Sequence, residues 1–219
     1  MILTFSKRDA YLVPAENTSS VAYIIGGFDR AEEIASAWGS PRASLVFVAC
    51  EDWNSALSPW YARTCFKGGE DFSGGADEFV NELEGEIMPA VERALNLTNP
   101  SRAIIGVSLA GLFALYALYK ADAFACAASI SGSLWFDGFT DFMASHEMKK
   151  APARVYLSLG DREEFTRNER LRRVGETTRW ARDFLEKKGI ETTLEMNPGN
   201  HFVDGTARML KALDWLYRA

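Results

Sequence analysis

The sequence predicts an α/β fold, a mostly parallel central sheet with helices on both faces. Two observations carry that expectation. Short apolar, β-rich runs ending in Gly or Asp alternate along the chain with longer segments of helical period. No repeat, low-complexity tract or Pro/Ser-rich linker divides them. At ~150 residues per domain, the 219 residues read as a single domain over 1–219. In such a sheet the chemistry gathers beyond the carboxyl ends of the strands, so strand ends are where reactive residues are sought.

The first clear strand is Val21 to Ile25, ending in Gly26-Gly27. Ala31 to Trp38 has helical spacing, with Gly39 just past its end. Ser44 to Cys50 is a continuous apolar strand. From Glu51 to Gly75 there is no period, and Pro59, Gly68, Gly69, Gly74 and Gly75 mark a long loop; loops of that length in compact domains are usually functional. Ala76 to Leu97 carries Phe79, Leu83, Ile87 and Val91 on one helical stripe. Arg102 to Val107 is a strand, and Leu109 to Lys120 (LAGLFALYALYK) is a helix apolar on most faces. Ala123 to Ile130 follows as a strand, Phe139 to Lys150 as a short helix, and Val155 to Leu159 as a strand ending in Gly160-Asp161. Asn168 to Lys188 is a helix with Gly189 at its end, a C-cap signal. Glu191 to Glu195 is the last strand and Thr206 to Arg218 the last helix.

Composition narrows the function classes. Charged residues are 25% and hydrophobic residues 47%, as in an ordinary globular protein, which excludes disorder. Lys plus Arg is 24 against 30 for Asp plus Glu, a net charge of −6, so no nucleic-acid partner is expected. The densest basic stretch, Arg167 to Arg173, is interrupted by Glu169 and preceded by Glu163 and Glu164, as on a solvated helix face. Cys50, Cys65 and Cys126 fit neither a disulfide framework nor a zinc site. Cys50 and Cys126 lie in apolar runs and read as core, and a reduced, cytoplasmic setting follows. The apolar stretch of MILTFSKRDAYLVP is too short for a signal peptide, and no apolar run approaches ~18 residues, so no membrane partner is expected.

The strongest chemical signal is IIGVSLAGLF, Ile104 to Phe113, where a strand runs through Gly106-Val107-Ser108-Leu109-Ala110-Gly111 directly into a helix. It resembles the G-x-S-x-G nucleophile elbow of α/β-hydrolases, in which small residues flank a serine on a strained turn so that strand and helix can come close. Ala110 stands where the second glycine is usual. A serine hydroxyl needs a base, and the chain has two histidines. His146, in DFMASHEMKK, has no strand end before it and reads as a surface helical residue. His201, in NPGNHF, lies between the last strand and the last helix, where the base is expected. The acid belongs between serine and histidine in chain order, and VYLSLGDREEF is the strand end that fits. The spacing G-x-x-E favours Glu163, with Asp161 and then Glu164 as alternatives. The turn after Leu159 decides among them. The oxyanion requires backbone donors: the N–H of Leu109, and the N–H of Phe28 after the turn at Gly27.

GVSLAGLFALYAL, YLSLGDREE, the GNH before the last helix and WNSALSPW (Trp53 to Trp60) together resemble the esterases of the esterase D-like branch of the α/β-hydrolases, over about residues 20 to 205. That branch includes siderophore trilactone esterases, feruloyl esterases and S-formylglutathione hydrolases. The resemblance implies a single-domain α/β-hydrolase fold without a separate lid domain. It also implies hydrolysis of a small-molecule ester through an acyl-Ser108 intermediate, with His201 moving the proton and Glu163 steadying His201. It calls for no metal and no organic cofactor. The loop from Glu51 to Gly75 would wall the pocket, with Trp53, Trp60, Tyr61 and Phe66 as an aromatic wall or folded onto the core, and Trp135 at another strand end. A thioesterase or trilactone esterase on the same triad, and a non-catalytic ligand-binding protein on this scaffold, are the alternatives. Oligomeric state is not legible.

Overall fold

The computed structural model describes residues 1–39 and 42–218. In chain order the elements are β1 (Ile2–Thr4), β2 (Asp9–Val13), β3 (Ser20–Ile25), α1 (Ala31–Trp38), β4 (Ser44–Val48), α2 (Trp53–Ala56), β5 (Tyr61–Ala62), β6 (Phe72–Ser73), α3 (Ala76–Glu82), α4 (Met88–Ala94), β7 (Ser101–Val107), α5 (Leu109–Lys120), β8 (Cys126–Ile130), α6 (Phe139–Ser145), β9 (Arg154–Gly160), α7 (Val174–Lys187), β10 (Glu191–Asn197) and α8 (Gly205–Leu216). One sheet has the order β1-β2-β4-β3-β7-β8-β9-β10. From β4 to β10 neighbours are parallel, while β2 runs antiparallel to both β1 and β4.

Side chains alternate across the sheet with period two. Val21, Tyr23, Ile25, Ile104, Ala127, Val155 and Leu157 face a core built with α3 to α7, while Ala22, Ile24, Ala103, Ile105, Ala128 and Tyr156 face α1 and α8. The helix α5 is buried along its whole length except Lys120, which is why its sequence is apolar on every face. The register sets the carboxyl ends of the strands level: Ile25 lies opposite Gly106, Val107 opposite Ile130, and Asn197 opposite Gly160.

Several boundaries differ from the sequence reading. The pair β1 and β2 was not anticipated. The stretch read as a loop from Glu51 to Gly75 contains the single turn α2 and the two-residue ladder β5–β6, Tyr61 opposite Ser73. The helix expected from Ala76 widens to a π turn over Leu83–Ile87 between α3 and α4 and ends at Ala94. The strand expected from Ala123 begins at Cys126, and the helix expected to Lys150 stops at Ser145. The segment from Asn168 enters α7 through a 3-10 turn, Leu171–Arg173. Cys50 and Cys126 are half-buried at the edge of the core rather than inside it.

Candidate active site

The ends of β7, β8, β9 and β10 bring together the residues that matter. Ser108 links β7 to α5 at φ 60°, ψ −123°, a backbone region that costs a non-glycine residue about 1–3 kcal/mol and persists only where the surroundings enforce it. Here they do. Ser108 donates its N–H to Ile130 O at 3.0 Å, and its own carbonyl accepts the N–H groups of Gly111 at 3.0 Å and Ser133 at 2.9 Å. A Cβ on Gly106 would stand 2.1 Å from Ala110 O, so only glycine lets β7 and α5 cross at that distance. The methyl of Ala110, by contrast, is fully buried in the core, so alanine at that position fits the elbow.

His201 follows β10 and donates Nδ1–H to Glu163 Oε2 at 2.8 Å. Glu163 Oε1 accepts three more bonds: the Gly160 N–H at 2.6 Å, the Ser131 hydroxyl at 2.7 Å and Arg208 Nη1 at 2.9 Å. Burial pushes the Glu163 carboxyl up, but the bonds from His201, Ser131 and Gly160 outweigh it and leave the carboxyl below the usual glutamate value. Asp161 is engaged elsewhere: its Oδ1 accepts the Gly199 N–H at 2.8 Å and ties the loop after β10 to the loop after β9. Glu164 pairs with Arg179 at 3.0 Å. His146 is exposed just past the end of α6, where Nδ1 lies 3.0 Å from both Ser145 Oγ and Phe142 O.

A cavity of about 490 Å³ is lined by Ser108, Leu109, Ser131, Ser133, Glu163 and His201, with walls of Trp53, Phe66, Phe72, Trp135, Phe165 and Phe202. As the first residue of α5, Leu109 has an N–H without an intrahelical acceptor. A second cleft, about 340 Å³, adjoins it along Trp53, His201 and Phe202 and is bounded by Gly26, Gly27 and Arg30. The Gly26 N–H is spent on Val48 O at 3.0 Å. The N–H groups of Gly27 and Phe28 have no hydrogen-bond partner among the described residues. Phe28 lines neither space; its ring packs 6.2 Å from Tyr11.

Trp53 and Trp135 are on the cavity wall, but Trp60 is not, contrary to its expected place in the pocket. Its indole N–H donates to Asp137 O at 3.0 Å, and its ring packs on Phe136 and Phe142, so it fastens the long loop to the core. Tyr61 is exposed, with its hydroxyl on Asp71 at 2.9 Å. Phe165 and Phe202 at the mouth, Ser131 and Ser133 on the wall, and Arg208 behind Glu163 were not singled out from sequence. The two serines follow a strand end, SISGS, and the strand-end rule could have found them; Arg208 carried no such signal. Among the described residues no group of three or more His, Cys, Asp or Glu side chains is placed to hold a metal ion.

A family model described as Putative esterase matches residues 9–212. A Bacillus subtilis (strain 168) relative, the uncharacterized protein YbbA, is 27% identical over 94% of this chain and 90% of its own. Among solved structures, an IroE-like serine hydrolase from Shewanella oneidensis superposes with a TM-score of 0.79 at 18% identity, covering 96% of this chain and 75% of that one. The siderophore hydrolase EstA from Aspergillus nidulans gives 0.72 at 18% identity, over 96% of this chain and 94% of that one. At that identity the two structures speak for the fold alone, an α/β-hydrolase fold with a mostly parallel sheet flanked by helices.

Proposed function

Because this chain belongs to the Putative esterase family and is an ester-hydrolysing enzyme, we propose that it works as a serine carboxylesterase through an acyl-Ser108 intermediate. The observation that carries the assignment is one cavity lined by Ser108, His201 and Glu163, with the imidazole Nδ1–H on the carboxylate at 2.8 Å. With Nδ1 holding a proton, Nε2 is the free base. Ser108 Oγ attacks the ester carbonyl carbon as its proton passes to His201 Nε2. Glu163 stabilises the imidazolium. The alkoxide that forms on the former carbonyl oxygen is met by the Leu109 N–H and by the unpartnered N–H of Phe28 or Gly27. Collapse breaks the bond to the alcohol oxygen, which takes the proton from His201. Water then repeats the sequence on the acyl-serine and releases the acid.

The aromatic walls favour an apolar or aromatic acyl group. A siderophore trilactone is a second reading, supported by the exposed rings of Phe66, Phe165 and Phe202 around the mouth, which suit a ligand with several aromatic arms. No helix among the described residues is long and apolar enough to cross a membrane. A cytoplasmic setting is proposed from the three unpaired cysteines.

A fluorophosphonate probe tests the reading, because it reports an activated serine without requiring the right substrate. One adduct, mapped to Ser108 and lost in H201A, is the expected result. Folded protein that takes no adduct, or takes it elsewhere, overturns the assignment of Ser108. A panel of aromatic, aliphatic and trilactone esters and thioesters then separates the substrate readings.

A further inference from the structure

Arg208, in the second turn of α8, is 2% exposed. Buried arginines are rare unless paired, and this one touches three strand-end loops at once. Nη1 donates to Glu163 Oε1 at 2.9 Å and to Ser131 Oγ at 2.8 Å, on the loops after β9 and β8. Nη2 donates to Asn200 O at 2.9 Å and Pro198 O at 3.3 Å, on the loop after β10 that carries His201. Its Nε is buried with no acceptor among the described residues. The guanidinium is therefore placed by the demands of its two outer nitrogens, at the expense of the inner one.

We infer that Arg208 is a positioning residue for ester hydrolysis, holding Glu163 as a carboxylate aimed at His201 with one nitrogen and holding the histidine loop with the other. The inference rests on the reading of Ser108, His201 and Glu163 as a triad. Burial by itself would drive the Glu163 carboxyl toward its neutral form, which could not stabilise an imidazolium; the adjacent cation opposes that. The second contact fixes the carbonyl of Asn200, the residue before His201, and so the place of the ring. Lysine could supply the charge but not the planar fork that reaches both loops. The same cation sets a charge balance. Before reaction Arg208 and Glu163 cancel, and the proton taken up during attack adds one net positive charge. The other charges around the site are Arg162 on the cavity wall, Asp161 on the Gly199 N–H, and Asp29 and Arg30 in the adjoining cleft. None of these four hydrogen-bonds to Glu163.

The test is the pH profile of kcat/KM on a chromogenic phenyl ester for the wild type, R208K and R208M, with circular dichroism to register folding. R208K keeps the charge and loses the fork. Its acid limb stays in place while kcat falls about 10- to 100-fold with KM within about threefold, as expected from a misplaced base. R208M loses the charge as well, and its acid limb moves to higher pH than that of R208K, since the buried Glu163 carboxyl then holds a proton more readily. If R208M does not fold, R208K alone decides. Folded variants with kcat within twofold of wild type, or a loss of kcat that only tracks loss of folded protein, overturn the inference. Fluorophosphonate labelling separates this from failure of the triad: Ser108 that labels in a His201-dependent way but ignores Arg208 sinks only the role of Arg208.

Discussion

Glu163 and Asp161 stand two residues apart on one turn, and their surroundings give them different work. Glu163 is buried, takes four hydrogen bonds and touches the imidazole; Asp161 is exposed and takes one, from a backbone amide. E163Q should therefore lower kcat by about 10²- to 10⁴-fold, because it leaves the shape and removes the charge opposite the imidazolium. D161A should leave kcat within about threefold and cost about 1 kcal/mol of stability in urea, the worth of one ordinary hydrogen bond. Steady-state kinetics with the reverse ranking would make Asp161 the acid. Ser108 and His201 were legible in the sequence because their signals are local: glycines around a strand-to-helix turn, and a histidine between the last strand and the last helix. The choice of acid was not, since G-x-x-E spacing does not say which way a turn points its side chains. Arg208 was invisible: a charged residue near the start of an amphipathic helix looks the same whether it meets water or a buried carboxylate. Trp60 misled for the opposite reason, since an aromatic in a functional loop can serve the core as well as the pocket.

At the scale of elements, what the sequence hid is the hairpin of β1 and β2. The runs are short and the turn between them is charged, so neither length nor alternation marks them. What holds the hairpin in place is the ion pair at its turn. Arg8 places its Nε 3.1 Å from Glu82, its Nη1 3.5 Å from Asp52 and its guanidinium carbon 3.8 Å from the centre of the Phe79 ring. This clamps the antiparallel edge of the sheet to α3. The side chains of Arg8 and Glu82 are 4% and 8% exposed, so the pair is nearly dry. R8M should cost about 3–5 kcal/mol because it strands the Glu82 carboxylate, whereas R8M/E82M should recover most of that loss. Urea unfolding of the two variants checks it, and a double variant no more stable than R8M would show that the ionic contact, and not the stranded charge, is what matters. The parallel strands β3, β4, β7, β8 and β9 were readable for the complementary reason. A strand buried on both faces is a continuous apolar run, and a helix buried all round, such as α5, is apolar throughout.

The whole molecule carries its polar interior into its response to pH. At the acid end, Glu163 has its carboxyl below the usual glutamate value of 4.5. It adds stability above that value and loses it as the pH falls through its lower folded value. The alkaline end is steeper, because Tyr23, Tyr116, Tyr119 and Tyr156 are all buried. Burial pushes all four phenols above their ordinary value of 10.0, and Glu92, Asp77, Glu147 and Glu195 respectively push them further. Below pH 10 both the folded and unfolded chains keep these protons. Above it only the unfolded chain releases them, so each phenol lowers stability by about 1.4 kcal/mol per pH unit, and four together by about 5–6. A margin of about 5–15 kcal/mol is then gone within one to three units, which places cooperative alkaline unfolding near pH ~11–13. The check is a titration followed by circular dichroism and tyrosinate absorbance together. Ionisation of the buried four should arrive with the loss of structure and not before it. A full tyrosinate signal near pH 10 with the dichroism unchanged would mean that water reaches these phenols in the folded state, and the packed core under α3, α5 and α8 would have to be looser than these side chains make it.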